Sequence, residues 1–357
     1  MTSALKGARK SCRLGSHRVI EPLGTLPQAA WKLDSTPVVQ SNEILCDVDA
    51  LNIDSASFRQ IVEACEGDEA RIATHILDLV EQRGKHHNPV TVSGGMFVGS
   101  VRAVGPELEA TAGVKAGDRI ASLVSLTLTP LSLEAVHSVN VETGCVRVTG
   151  SAIIFASGTF AQLPADLPDD VALAVLDVAG APAQVRRLAQ PGQTVVVFGA
   201  DGKSGMLACA QARERVGPKG RVIGIAPDRN TPAARLLLEH GYVDAFEALD
   251  ARDAIAVIES VERSFPGEAD LTINCVNVPG TELPSILATK NDGTVYFFSM
   301  STSFTAAALG AEGVGKDVTM IIGNGYAKGH AAIALQTLRD HPPIHAYFMQ
   351  RFGRSAA

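Results

Sequence analysis

Two rhythms of hydrophobic and polar positions divide this chain. Over the first 165 residues, short runs alternate apolar and polar side chains, as in Glu43-Ile-Leu-Cys-Asp-Val-Asp49, and Gly, Pro and Asp separate them. A period of two predicts half-buried strands, here over 97–104, 120–126, 136–141 and 145–148, with a turn at Gly117-Asp118-Arg119. Ile61, Ala64, Cys65, Ile72, Ile76, Leu79 and Val80 recur at spacings of three and four, which predicts a helical insertion over 59–83. From Pro168 onward the pattern becomes strand–helix alternation. Helices are predicted over 171–188, 206–215, 231–240 and 251–264, and strands over 194–198, 221–226, 242–246, 271–276, 294–300 and 318–322. The strands are apolar on both faces, as a parallel sheet covered on both sides requires. The Gly/Ala/Ser-rich stretch 301–317 is predicted to be a loop or lid. The expectation is an α/β chain. A β-rich catalytic unit spans 1–165, a doubly wound parallel sheet of Rossmann type spans 166–345, and 346–357 form a C-terminal tail.

The run Thr194-Val-Val-Val-Phe-Gly-Ala-Asp-Gly-Lys-Ser-Gly205 carries the first chemical signal. A β-branched strand breaks at Gly199 into a glycine turn and enters a helix. Glycines let backbone approach a pyrophosphate, and the helix N-terminus offers free N–H groups and a positive dipole end. The spacing Gly199, Gly202, Gly205 departs from a strict G-x-G-x-x-G, but a strand before it, a helix after it and a second strand next supply the needed context. Lys203 does not make this a P-loop, because the glycine that pattern requires five residues before Gly202 is replaced by Val197. The second strand ends at Ala226-Pro227-Asp228-Arg229-Asn230. An acid there binds the ribose hydroxyls of NAD, and a basic side chain accepts the 2′-phosphate of NADP. Asp228 favours NAD, Arg229 keeps NADP open, and both are also ordinary turn residues. The expected cofactor set is Gly199, Asp201, Gly202, Lys203, Ser204, Gly205, Asp228 and Arg229, with Val276, Asn277, Ser299 and Asn324 at the ends of later strands.

Composition narrows the partners. With 357 residues and 46% hydrophobic content, the chain can build two cores. A net charge of −7 without a basic block argues against nucleic acid and anionic membranes. No apolar run is long enough to span a bilayer. The basic N-terminus (Lys6, Arg9, Lys10, Arg13) lacks the apolar stretch of a signal peptide. Six scattered cysteines without a C-x-x-C pair read as reduced thiols in the cytoplasm.

The first half then becomes legible. The run from His87-Asn-Pro through Ser93-Gly-Gly-Met-Phe-Val-Gly-Ser-Val-Arg-Ala-Val-Gly105, followed by Gly113-Val-Lys-Ala-Gly-Asp-Arg-Ile120, resembles the medium-chain dehydrogenase/reductase superfamily. The resemblance covers about 37–340. It implies a GroES-like catalytic unit beside the nucleotide unit, and homo-oligomers (dimers or tetramers). Zinc members of that superfamily hold the metal through a Cys, a His and a second Cys. Matched in turn, those positions are Asn52, Gly95 and Asp177, or a residue close to it, none of which supplies the N/S donors zinc prefers. The chain therefore resembles the zinc-free branch, with no metal expected. Within it, Gly15-Ser-His-Arg-Val-Ile-Glu-Pro22, Leu51-Asn-Ile-Asp-Ser-Ala-Ser-Phe58, Gly84-Lys-His-His-Asn-Pro-Val-Thr91, Leu176-Asp-Val-Ala-Gly-Ala-Pro-Ala-Gln184 and Gly323-Asn-Gly-Tyr-Ala-Lys-Gly-His330 resemble an amine-oxidising dehydrogenase family of lysine fermentation. That likeness implies oxidative deamination of a small diamino acid with NAD or NADP.

Such a reaction needs a base to neutralise the reacting ammonium, then to help water attack the iminium, then to protonate departing ammonia. The candidates are Asp177, Asp54, His86 and His87. Asp177 leads because its matched position faces the nicotinamide, and its plainer reading is an acid paired with an Arg. Asp54 lies on the active-site loop and is otherwise a loop cap. His86 and His87 are otherwise turn histidines. A second acid suits the substrate's other ammonium, and Asn88, Ser93 with the Gly94-Gly95 backbone, or Lys328 could meet its carboxylate. Asn52, His86 and Tyr326 complete the expected substrate set. Two other readings stay open here: a zinc-free alcohol or quinone reductase of the same superfamily, and a non-enzymatic nucleotide-binding protein.

Overall fold

A computed structural model of the chain describes residues 11–88, 94–264, 267–299, 301–323 and 325–353. The chain divides into two compact units, 1–165 and 166–357.

In the first unit, β1 (Val19–Glu21) and β2 (Lys32–Leu33) pair as a small antiparallel ribbon. β3 (Glu43–Asn52) follows, then α1 (Ser55–Ala64), α2 (Glu69–Arg83), β4 (Met96–Val104), β5 (Arg119–Ser122), β6 (Leu131–Val139), β7 (Cys145–Phe155) and β8 (Phe160–Gln162). Six of these strands form an antiparallel sheet in the order β6-β7-β3-β4-β5-β8, the GroES-like arrangement. β3 is central and contributes Ile44, Cys46, Val48 and Leu51 to a core shared with Phe97, Ile120, Val146 and Ile72. The single helix expected over 59–83 is two. Glu66 and Gly67 take left-handed φ values of 55° and 73°, and Asp68 caps α2 by accepting from the N–H groups of Ala70 and Arg71. Two consecutive left-handed residues cannot continue a helix, and an Asp N-cap restarts one.

The second unit runs α3 (Asp169–Leu176), α4 (Gly180–Leu188), β9 (Thr194–Phe198), α5 (Lys203–Val216), β10 (Arg221–Ala226), α6 (Pro232–Glu239), β11 (Ala245–Ala248), α7 (Ala254–Ser264), β12 (Ala269–Asn274), α8 (Glu282–Leu287), β13 (Thr289–Phe297), α9 (Phe304–Val314), β14 (Thr319–Ile322), α10 (His330–Asp340) and α11 (Pro342–Phe352). Its six strands are all parallel, in the order β11-β10-β9-β12-β13-β14. This is the doubly wound order whose reversal point, between β9 and β12, receives a dinucleotide at the carboxyl edge. The β9 side chains Val195, Val196, Val197 and Phe198 are wholly buried, as expected for a central strand covered on both faces.

Three expectations are corrected here. The stretch 301–317 is not a loop, since 304–314 form α9. Ser303 accepts from the Ala306 N–H to start it, and Gly315 ends it in the left-handed region. The stretch 346–357 is not a separate tail, because 346–352 belong to α11, whose Phe348 is fully buried. The strand expected at 242–246 starts three residues later. Tyr242 and Val243 instead close the end of α6 by donating their N–H groups to Leu237 O.

Candidate active site

The glycine turn is built by contact, not only by flexibility. Gly199 sits at φ +72°, which disfavours a side chain, and donates its N–H to Ile225 O. A Cβ on Gly205 would fall 2.1 Å from Gly199 O and 2.6 Å from Ala200 Cα. The third glycine therefore lets α5 pack directly on the strand end. Gly202 caps α5 without a side-chain hydrogen bond, so the N–H groups of the first turn face the turn's mouth. These features fit a pyrophosphate. Gly205→Ala is expected to cost about 1–3 kcal/mol by overpacking, read as a lower melting temperature together with weaker NADH binding by fluorescence titration. Unchanged NADH affinity would mean that close packing there does not shape the cofactor site.

Beside the turn lies a cavity of about 250 Å³ lined by Gly199, Asp201, Gly202, Ala226, Pro227, Asp250, Ala251, Cys275 and Val276. Its position at the ends of β9, β10 and β12 matches an adenosine site. Burial raises the Asp201 carboxyl above its usual range, and the neighbouring Asp228 carboxylate adds to that rise. Asp228 itself accepts from the Asn230 N–H in an exposed turn. Asp250 lines the cavity and was not anticipated from the sequence. It is paired with Arg252, four residues past the end of β11. Arg229 is exposed. Burial pushes the Cys275 thiol up to about 12 although the Ser204 hydroxyl opposes it, so Cys275 is an inert wall. Val276 lines the cavity, while Asn277 is exposed and accepts from the Ser301 hydroxyl. Ser299, partly buried, accepts from the Ser301 N–H.

Asp177 ends α3, and its Oδ2 lies 2.6 Å from the Lys203 ammonium, the first residue of α5. The partner is thus the lysine of the glycine turn, not an arginine. Both side chains remain partly open, 26% and 33% exposed. Tyr326 is 48% exposed and packs edge-on against His330 at 5.1 Å.

In the first unit, the end of β3 and the start of β4 converge. Asn52 pairs in register with Met96, and a Cβ on Gly95 would lie 2.1 Å from Asn52 O. The Gly94 N–H donates to Asp54 Oδ2 at 3.1 Å, and a Cβ on Gly94 would lie 2.7 Å from His86 O. Asn52, Asp54, His86 and the Gly94-Gly95 backbone are therefore one neighbourhood. Asn88 is buried beside it and donates to Gln60 Oε1 at 2.6 Å. Burial depresses His86 to about 4, and burial aided by Lys85 and Arg83 does the same to His87. The neighbouring cations are committed elsewhere. Lys85 donates to Pro27 O at 2.7 Å, and Arg83 donates to Trp31 O and His87 O while stacking on the Trp31 ring. Ser93 and Asn324 lie outside the described residues. Among the described residues no three His, Cys, Asp or Glu side chains are placed to hold a metal ion, and no helix is long and apolar enough to cross a membrane.

A parallel sheet of this strand order, its glycine turn and a GroES-like unit define a nicotinamide-dependent oxidoreductase of the medium-chain dehydrogenase/reductase type. A mycobacterial protein solved in complex with NADPH shares the fold, with a TM-score of 0.52 and 15% identity, over 88% of this chain and 82% of that one. Residues 17–164 match the model of the L-erythro-3,5-diaminohexanoate dehydrogenase N-terminal domain. L-erythro-3,5-diaminohexanoate dehydrogenase of Acetoanaerobium sticklandii is 52% identical, over 96% of this chain and 99% of the relative. Its counterpart in Fusobacterium nucleatum is 49% identical, over 95% and 98%. The chain belongs to the L-erythro-3,5-diaminohexanoate dehydrogenase family.

Proposed function

We propose that this protein oxidatively deaminates L-erythro-3,5-diaminohexanoate, with water and NAD⁺, to 5-amino-3-oxohexanoate, ammonium, NADH and a proton, a step of lysine fermentation. The single observation that carries this reading is identity near one half along almost the full length of two relatives bearing that name. A nicotinamide dinucleotide held at the glycine turn would supply the acceptor for the hydride that leaves C3 of the substrate.

The chain supplies the rest. Asp177 is the proposed base: its carboxylate pairs with the 3-ammonium, removes a proton so that C3 can release hydride, and returns protons as water adds and ammonia leaves. Asp54 pairs with the 5-ammonium, which gives each of the two acids one cation. His86 and His87, depressed to about 4 by burial, are proposed to shape the pocket. Asn52, Asn88 and Ser93 are proposed donors to the substrate, and Tyr326 a wall. Gly199, Gly202, Gly205, Lys203 and Ser204 would hold the dinucleotide phosphates, and Asn277 and Ser299 would border the nicotinamide.

NAD is proposed over NADP because Asp201 and Asp250 line the cavity assigned to adenosine and the Asp228 carboxylate lies near Asp201. A 2′-phosphate would bring a dianion among them, whereas a ribose diol can donate to a carboxylate. With purified protein and L-erythro-3,5-diaminohexanoate, NADH absorbance and ammonium should rise in equal amounts, and kcat/KM for NAD⁺ should exceed that for NADP⁺ by at least about tenfold. NADH without ammonium would overturn the deamination, and a preference for NADP⁺ would overturn the reading of the acid rim.

A further inference from the structure

The Asp177–Lys203 ion pair joins two parts of the site that belong to different ligands. Asp177 is assigned above to the substrate ammonium, and Lys203 is the first residue of the helix whose N-terminus meets the cofactor pyrophosphate. A lysine ammonium at a helix N-terminus is disfavoured by the dipole, so it needs an anion near it. In this structure that anion is the Asp177 carboxylate, 2.6 Å away. A bound pyrophosphate brings a second anion to the same helix end. Asp177 has the complementary conflict: while it holds Lys203, one of its oxygens is already taken by a cation, and the substrate must compete as another ammonium. Neither side chain is locked in place, since each keeps a quarter to a third of its surface open. A lysine stem has four rotatable carbons, so its ammonium can swing between neighbouring anions without a backbone shift.

We propose that Lys203 exchanges partners when the dinucleotide binds, moving from Asp177 to the pyrophosphate and so releasing the Asp177 carboxylate for the substrate ammonium. The inference rests on the functional reading above and adds to it an order of binding, cofactor before diamino acid. By linkage it is reciprocal, because anything that removes Asp177 as a competitor must strengthen the hold of Lys203 on the pyrophosphate.

ADP-ribose tests this without turnover, because it carries the pyrophosphate and lacks the nicotinamide. Calorimetry on the whole protein should show Asp177→Asn binding ADP-ribose about fivefold or more tightly than the parent. Lys203→Met should bind it more weakly than the parent, and Lys203→Arg should recover most of the loss. Adenosine, lacking phosphate, should bind all four proteins alike. In the parent, ADP-ribose should tighten L-erythro-3,5-diaminohexanoate binding by about fivefold or more. In Lys203→Met the diamino acid should bind equally well with or without ADP-ribose. Thermal melts verify that each variant is folded. Unchanged ADP-ribose affinity in Asp177→Asn, or coupling that survives in Lys203→Met, overturns the exchange. Ammonium release by the parent enzyme is scored separately, so that failure of the exchange and failure of the deaminase reading are told apart.

Discussion

Replacing Asp177 by Asn is expected to lower kcat for L-erythro-3,5-diaminohexanoate by roughly 10²- to 10⁴-fold, the usual contribution of a positioned general base. Asn keeps the size and position of the side chain at the end of α3 but cannot take a proton. The substrate carries an ammonium at C3, and hydride cannot leave the carbon of a positively charged ammonium, so the first proton transfer is obligatory. Losing the base should slow that transfer until it limits turnover. The primary isotope effect from deuterium at C3 should therefore shrink in the variant, which a merely structural disturbance would not produce. Melting temperature should stay near that of the parent, because the side chain is partly open and its ion pair with Lys203 sits in contact with solvent. A loss smaller than about threefold would remove Asp177 from the role. Asp54, which accepts the Gly94 N–H beside Asn52, would then be the next carboxylate to change.

The route to Asp177 shows how far the sequence reaches. Its place came from matching a metal-ligand position, and the carboxylate does stand beside the glycine turn. Its partner was not legible. Lys203 and Asp177 are 26 residues apart, and their meeting depends on how α3 packs against the start of α5. The six parallel strands were legible because their apolar runs are continuous and flanked by helices. The helix α9 was missed although Ser303 and Gly315 are ordinary start and stop signals, because a run of small residues lacks the apolar stripe that marks a helix face. Asp250 was missed for a different reason: it lines the cavity from the connection after β11, and nothing local marks that loop as part of the site. The polar neighbourhood of Asn52, Asp54 and His86 was guessed from motifs, but the depression of both histidines follows from burial, which only packing decides.

Burial also decides the largest expected loss of stability, at the far end of β3 from Asn52. Glu43 opens that strand and is completely buried, as is nearly all of Arg18. Arg18 donates Nε to Oε1 at 2.8 Å and Nη2 to Oε2 at 2.6 Å. His17 Nε2 sits 2.7 Å from Oε1, and the Gln40 N–H donates to Oε2. Arg18 has further acceptors in Thr36 O and Val38 O. Burial alone would raise the Glu43 carboxyl, but the bonds from Arg18 and His17 outweigh it and hold the group at about 2, against 4.5 ordinarily. A carboxyl depressed on folding contributes stability in full above pH 4.5 and loses it as pH falls toward 2. Arg18→Met strips the carboxylate of its main partner and should cost about 3–5 kcal/mol at pH 7, or about 10 °C in melting temperature. In that variant only His17 and the Gln40 N–H still oppose burial, so the Glu43 carboxyl rises from its depressed value and acid neutralises the stranded charge. The gap between variant and parent should therefore narrow between pH 7 and pH 4. Arg18→Met combined with Glu43→Leu should regain much of the loss, since an apolar pair leaves no buried charge. A gap that is equal at both pH values would assign the loss to packing instead. Below the melting range, specific activity should be unchanged, because the pair lies a full ten-residue strand away from Asn52 and Asp54.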